Sequence, residues 1–218
     1  MEYRVLIVIY KARRFKFYIL GLLSERVRWI TNLTHSPNNV RSPVYLNGIL
    51  HWMVNDKSYK HANGDNPGCS SSIMLFNTTS EEFSTIPHPG DECGLRKKHD
   101  MMELMDMEGN LSLCDSRSFR YLDIWMLEDY ENWFWGKRHS IEIEPLLEFC
   151  GIQYRYGSHV NLGGFYMYNK ELLLKVCDND LILYNQQTGS IRRVGKQMRK
   201  DMRVVAVPHI NTLFIDIF

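Results

Sequence analysis

Three hairpin signals recur at an equal step along this sequence. Val44-Tyr45-Leu46 and Ile49-Leu50-His51-Trp52-Met53-Val54 flank Asn47-Gly48. Leu104-Met105-Asp106-Met107 and Leu111-Ser112-Leu113-Cys114 flank Glu108-Gly109-Asn110. Gly164-Phe165-Tyr166-Met167-Tyr168 and Leu172-Leu173-Leu174-Lys175-Val176 flank Asn169-Lys170-Glu171. Asn-Gly between two apolar runs is the strongest short hairpin signal, because both turn residues must take positive φ. The hairpins start near positions 44, 104 and 164, a step of 60 residues. A fixed step of this kind marks a repeat architecture, in which each unit covers its neighbour's apolar face.

A second motif follows each hairpin: an apolar strand, a polar turn, then another strand. Ile73-Met74-Leu75-Phe76 leads through Asn77-Thr78-Thr79-Ser80 to Phe83-Ser84-Thr85-Ile86. Leu122 to Leu127 leads through Glu128-Asp129 to Trp133, and Leu181-Ile182-Leu183-Tyr184 leads through Asn185 to Gly189 into Ile191 to Val194. Phe15 to Leu20, then Ser24-Glu25, then Val27 to Ile30 looks like a further copy. Two hairpins per step make a four-stranded sheet per repeat. The expectation is an all-β, β-propeller-like (kelch-like) array of four-stranded blades, with a sandwich or meander as the competing topology. At about 40–45 residues per blade the chain holds about five, and long loops reduce this to about four. Asn55 to Ser71 and Pro87 to His99 are rich in Gly, Asn, Pro, Lys and His and read as surface loops. Glu144 to Val160 reads as a loop with a helical turn. No low-complexity tract splits residues 1–218, so one domain is the simplest organisation.

Composition agrees. The 218 residues are 44% hydrophobic and 23% charged, enough apolar surface for a core and too much for a disordered chain. The net charge of +1 argues against a dedicated nucleic-acid binder. That balance hides an uneven distribution. Residues 1–43 carry eight basic side chains against Glu2 and Glu25, and residues 100–148 carry twelve acidic ones against Arg117, Arg120, Lys137 and Arg138. Solvated strand faces explain this, and so would patches that steer a protein partner.

Cys69, Cys93, Cys114, Cys150 and Cys177 are odd in number, widely spaced and without a C-x-x-C. Reduced thiols in a cytoplasmic or nuclear protein are expected. Val5 to Tyr10 is too short for a signal h-region and reads as a buried strand. No apolar run approaches the ~18 residues of a membrane span.

No catalytic motif stands out: there is no G-x-S-x-G, phosphate loop or H-E-x-x-H. Cys177-Asp178-Asn179-Asp180 lacks the Gly and Glu of a calcium loop and reads as a strand-linking turn. His61, His88 and His99 lie on loops near Cys69 and Cys93, but the spacings match no established zinc pattern, so no metal and no cofactor is expected. His51 beside Trp52 reads as a packed histidine. Trp125, Phe134, Trp133 and Trp135 form an aromatic run, the last two expected on one side of a strand. They supply packing area, or a stacking platform for a ligand. Glu128, Asp129 and Glu131 read as solvated turn carboxylates.

Several of these segments together resemble plant F-box-associated domains. They are Val44 to Trp52 followed by Ile73 to Phe83, Leu122 to Glu131 followed by Trp135-x-Lys137, and Tyr184-Asn185-x-x-Thr188-x-x-Ile191-Arg192-Arg193-Val194. The last leans toward the type 3 variant. The resemblance covers nearly the whole chain. It implies a non-catalytic, β-propeller-like substrate-recognition domain supporting protein ubiquitination. In such proteins an F-box docks a Skp-type adaptor of a cullin-RING ubiquitin ligase while the propeller holds the target protein. This sequence carries no F-box and resembles the family from a strand well inside the domain. The expectation is therefore an N-terminally truncated, incomplete array that does not bind the adaptor by itself and leaves strand edges unpaired. Neither nucleic acid nor membrane is an expected partner. A glycan-binding or hydrolytic propeller using Trp125 to Trp135, and a non-functional truncated paralogue, are the alternatives. Rigid scaffolds present specificity on loops. The candidate partner-binding residues are accordingly Tyr59, Lys60 and His61, then Arg96, Lys97, Lys98 and His99, then Tyr154, Arg155 and Tyr156.

Overall fold

The computed structural model describes residues 4–12, 14–37, 43–90, 93, 99–118, 120–152, 162–168, 170–176, 180–194, 204–207 and 214–217. The chain is built from consecutive antiparallel meanders. Strands β1 (Arg4–Lys11), β2 (Arg14–Gly21) and β3 (Val27–Leu33) form a three-stranded sheet in that order. Strands β4 (Val44–Leu46), β5 (Ile49–Met53), β6 (Ile73–Asn77) and β7 (Phe83–Ile86) form a four-stranded sheet, again in chain order. Next come β8 (Met102–Met107), β9 (Asn110–Asp115), β10 (Tyr121–Asp129) and β11 (Phe134–Glu142). They are followed by β12 (Leu162–Tyr168), β13 (Glu171–Val176), β14 (Asp180–Asn185) and β15 (Ile191–Arg193). These eight strands share one sheet ordered β11-β10-β9-β8-β12-β13-β14-β15. It is two four-stranded meanders joined by a parallel contact of β8 with β12, where Met107 faces Met167. β16 (Val204–Val207) and β17 (Phe214–Ile217) pair as a hairpin.

The expected step is thus realised, with first strands opening at Val44, Met102 and Leu162. The turn chemistry explains why. Asn47 and Gly48 take φ of 50° and 80°, and Glu108 and Gly109 take 53° and 85°. That is the doubly left-handed turn whose twist matches two antiparallel strands. The other recurring turn is closed by a side chain. Asn77, Asp129 and Asn185 each end the third strand of a meander. Each places an Oδ1 atom to accept backbone N–H groups two and three residues on: Thr79 and Ser80 at 2.8 and 3.0 Å, Glu131 and Asn132 at 2.8 and 3.1 Å, Gln187 and Thr188 both at 3.0 Å. The carboxamide or carboxylate replaces a backbone acceptor, which is why Asn and Asp recur there. Replacing Asn185 by Ala is expected to cost about 1 kcal/mol, as loss of such hydrogen bonds does. The urea midpoint should fall at constant slope. Asn185→Asp, which keeps the acceptor, should stay close to the parent.

The described residues form two compact units, one from 1–41, 48–88 and 92–99, the other from 42–47, 89–91 and 100–218. In the first, β2 alternates as a half-buried strand should, with Phe15, Phe17 and Ile19 buried. Phe15 and Phe17 pack with Val54 and Met74. Glu81, at the β6–β7 turn, accepts ion pairs from Arg4 of β1, at 3.1 Å, and from Arg28 of β3. In the second unit, α2 (Ile143–Phe149) leaves β11 directly and lays Ile143, Leu146 and Leu147 against Met107, Leu122, Ile124, Leu172 and Leu174.

Two readings of the sequence are corrected here. Val5 to Tyr10 is a strand but not a buried one: Val5, Val8, Ile9 and Tyr10 are 41%, 37%, 47% and 42% exposed. Among the described residues β1 pairs only with β2, so it is an edge strand and its outward side chains meet solvent. Asn55 to Ser71 is not simply a surface loop, since it contains α1 (Asp56–Asn63). That helix carries only Tyr59 and Ala62 as apolar packing residues, too few to show a helical period. The expected helical turn after Glu144 is α2, and residues 153–161 lie outside the described ones.

Candidate metal centre

The site begins at the caps of α1. Asn55 accepts the Ser58 N–H at 2.8 Å, and the helix ends at Gly64, whose φ of 86° needs a residue without a Cβ. Capping at Asn55 places Asp56 in the first turn, where exposed backbone N–H groups favour its negative charge. The chain then makes a single 3-10 turn, Cys69–Ser71, closed by the Ser71 N–H on the Gly68 carbonyl at 3.1 Å. Ser72 is fully buried and works in both directions. Its hydroxyl donates to the Cys69 carbonyl at 2.9 Å and accepts the His88 N–H at 3.1 Å. The start of β6 and the exit of β7 are thereby held together beside Cys69.

Four side chains converge there. The ligand-capable atoms of Cys69, His88, Cys93 and His99 all lie within 4.8 Å of one another. Cys93 Sγ is 3.4 Å from His88 Nε2, and the Cys93 N–H donates to Cys69 Sγ at 3.2 Å. His88, Cys93 and His99 are buried and Cys69 is half-buried. The His88 and His99 rings stand 5.1 Å apart, tilted by 56°. His99 opens the 3-10 turn His99–Met101. Asp56 grips it twice: Oδ2 accepts the His99 backbone N–H at 3.0 Å, and Oδ1 lies 2.8 Å from Nδ1. With Nδ1 directed at a carboxylate, Nε2 is the atom presented to the cluster. It is buried and has no hydrogen-bond partner among the described residues.

The electrostatics follow from this packing. Burial disfavours a charge on His99, but the Asp56 carboxylate and the nearby Cys93 and Cys69 thiols outweigh it and hold the imidazole pKa at about 10. Burial likewise works against a Cys69 thiolate. The His99 imidazole, the Cys93 backbone N–H and His88 overcome it and lower the thiol pKa. The two shifts share one cause: the imidazole and the thiols lie close enough that each favours the other's charged form.

The ten candidate contact residues fare unequally. Lys60 and His61 are exposed on α1, with the His61 ring 5.8 Å from that of Tyr10. Tyr59 is half-buried, packs against the Phe15–Phe17 core and stands 4.8 Å from the His35 ring. His99 is fully buried, so it is no surface contact; its place is inside the polar cluster, fixed by Asp56. Arg96, Lys97, Lys98, Tyr154, Arg155 and Tyr156 lie outside the described residues. The sequence reading had His88, His99, Cys69 and Cys93 near one another but drew no site from them. His61, grouped with them there, points away to Tyr10.

The aromatic run does not build a platform. Trp133 has a φ of 54° and belongs to the turn before β11, against Tyr130, so it does not share a strand face with Trp135. Trp135 is buried, and Lys137 Nζ lies 4.8 Å over the Trp125 ring. Asp129 is committed to its own turn and Glu128 pairs with Arg138 at 3.0 Å. His51 is fully buried, in keeping with a packed histidine. Asp180, from the calcium-like run, opens β14 and pairs with Arg193 at 2.6 Å; residues 177–179 lie outside the described ones.

No curated protein matches this sequence. Among solved structures, TolB from Acinetobacter baumannii matches 98% of this chain at a TM-score of 0.48 and 13% identity. An acylaminoacyl peptidase from Pyrococcus horikoshii matches 99% at 0.47 and 10% identity, and the N-terminal domain of Nup159 matches 94% at 0.42 and 10% identity. The chain spans 48%, 34% and 54% of those three chains. The model of the F-box associated beta propeller domain matches residues 1–215. A match of that extent, on a chain of successive four-stranded meanders, shows that this protein belongs to the F-box associated beta propeller domain family.

Proposed function

We propose that this domain is the non-catalytic target-binding part of an F-box-type receptor, serving a cullin-RING ubiquitin ligase in the cytoplasm or nucleus. The observation that carries the reading is the family match over residues 1–215. Adaptor docking belongs to an F-box, on this chain's gene product or on a partner. The domain's own part is to hold a protein. The rival glycan-binding or hydrolytic reading loses its support with the aromatic run, because Trp135 is buried, Asp129 is engaged in its turn and Glu128 in an ion pair.

The described surface that best suits target contact lies on the first unit. There, exposed Tyr10 and Ile9 of β1 accompany Lys60 and His61 of α1. An exposed apolar patch with a basic rim is the composition of a recognition surface. The test is to express the 218-residue chain in its own cells and identify proteins crosslinked to it. The half-life of each captured protein is then measured. Because the chain without an F-box occupies targets without delivering them, its overexpression should lengthen the half-life of a true target. A Lys60→Glu/His61→Glu double variant should weaken capture several-fold. Captured proteins with unchanged half-lives, or capture indifferent to the double variant, would remove this reading and its contact surface respectively.

A further inference from the structure

We propose that Cys69, His88, Cys93 and His99 bind one zinc ion in a closed, structural site, with Asp56 as the outer partner that orients His99. This rests on the cluster's geometry and is independent of what the domain binds.

The donor set is two thiols and two imidazoles, a combination that selects zinc over the oxygen-seeking calcium and magnesium. The spacing of the atoms fits. Zn–S of about 2.3 Å and Zn–N of about 2.1 Å at a tetrahedral angle put a sulfur and a nitrogen about 3.6 Å apart. Cys93 Sγ and His88 Nε2 are 3.4 Å apart, and all four donors lie within 4.8 Å of each other. The outer shell is in place as well. A metal-bound histidine characteristically gives its other ring N–H to a carboxylate, which fixes the ring and raises its basicity. Asp56 does this for His99, leaving the buried Nε2 aimed into the cluster without a hydrogen-bond partner among the described residues. The Cys93 N–H directed at Cys69 Sγ is the corresponding support for a bound thiolate.

Four protein donors fill a tetrahedron, so no position is left for a reactive water, and the role is structural. The ion would tie the turn after α1, the exit of β7 and the turn that begins at His99 into one knot. The ligands stand at positions 69, 88, 93 and 99, one long gap followed by two short ones.

The test uses the 218-residue chain, purified under reducing conditions without chelators. Elemental analysis should give about one zinc per chain, as one four-ligand site requires. Removing the metal with a chelator should lower the melting temperature, and added zinc should restore it. Cobalt(II) added to the stripped chain should give the intense visible bands and thiolate charge-transfer absorption of a tetrahedral S2N2 site. Asp56→Asn should keep all four ligands but weaken zinc about 10–100-fold in competition with a chelating dye. Cys93→Ser should abolish stoichiometric zinc, while Cys114→Ser should leave it intact. Where a ligand variant does not fold, the chelator and cobalt experiments on the unsubstituted chain decide. A folded chain without zinc that neither gains stability from zinc nor gives the cobalt spectrum would overturn the proposal. So would a Cys69–Cys93 disulfide persisting under reducing conditions, or full zinc binding by Cys93→Ser.

Discussion

Replacing Phe17 with alanine should destabilise the chain by about 3–5 kcal/mol, the cost of emptying a filled aromatic site. Phe17 is fully buried on β2, and its ring lies 4.5 Å from that of Phe83, which in turn stands 4.6 Å from Phe76. Val54 and Met74 close the same cluster and are themselves fully buried. Rings at these separations hold one another in tilted contact, and a methyl group cannot reach any of them. Urea unfolding read by tryptophan fluorescence should show the midpoint drop with little change of slope. Phe17→Leu should recover more than half of the loss. A shift under about 1 kcal/mol for Phe17→Ala would mean that β2 does not share a core with β6 and β7.

The second large effect is expected at Leu146, where Ala should cost about 2–5 kcal/mol. Leu146 is fully buried on α2, and the helix is short, seven residues, well below the length at which a helix stands alone. Its stability comes from the apolar face it lays on the sheet. Ile143 anchors one end through its N–H on the Arg120 carbonyl at 2.9 Å. Exposed Glu148 on the same helix is the control, and Glu148→Ala should be nearly neutral. If both substitutions were equally mild, α2 would be an appendage and not the cover of the second core.

The residues themselves announced most of the backbone plan. Asn47-Gly48 sits where the strands reverse, since Asn and Gly take positive φ most readily, and at the second reversal Gly109 carries that signal beside Glu108. The polar turns after Phe76, Glu128 and Tyr184 were equally legible, because Asn and Asp close such turns with their own side chains. Burial of β1 was misread because a run of Val, Leu and Ile describes an inner strand and an exposed edge alike. Helix α1 was missed although Asn55 and Gly64 were plain cap signals, because Asp56–Asn63 shows no apolar stripe. The metal cluster was unreadable for a different reason. Cys69 and His99 come from two 3-10 turns, while His88, two residues past β7, and Cys93 lie outside any element, so the spacing obeys no single element's period. Only the fold brings Asp56 to His99, 43 positions away in sequence.

The contact of β8 with β12 bears on how such a chain changes over generations. On each side of it a four-stranded meander satisfies its own ladder, and among the described residues only Met107 and Met167 are in register across the boundary. A whole meander added or removed between β11 and β12 changes only the neighbours across this seam and leaves the ladder inside each remaining meander intact. The boundary between the two meanders is therefore where an array of this kind can change length at the cost of one inter-meander contact rather than of a broken ladder.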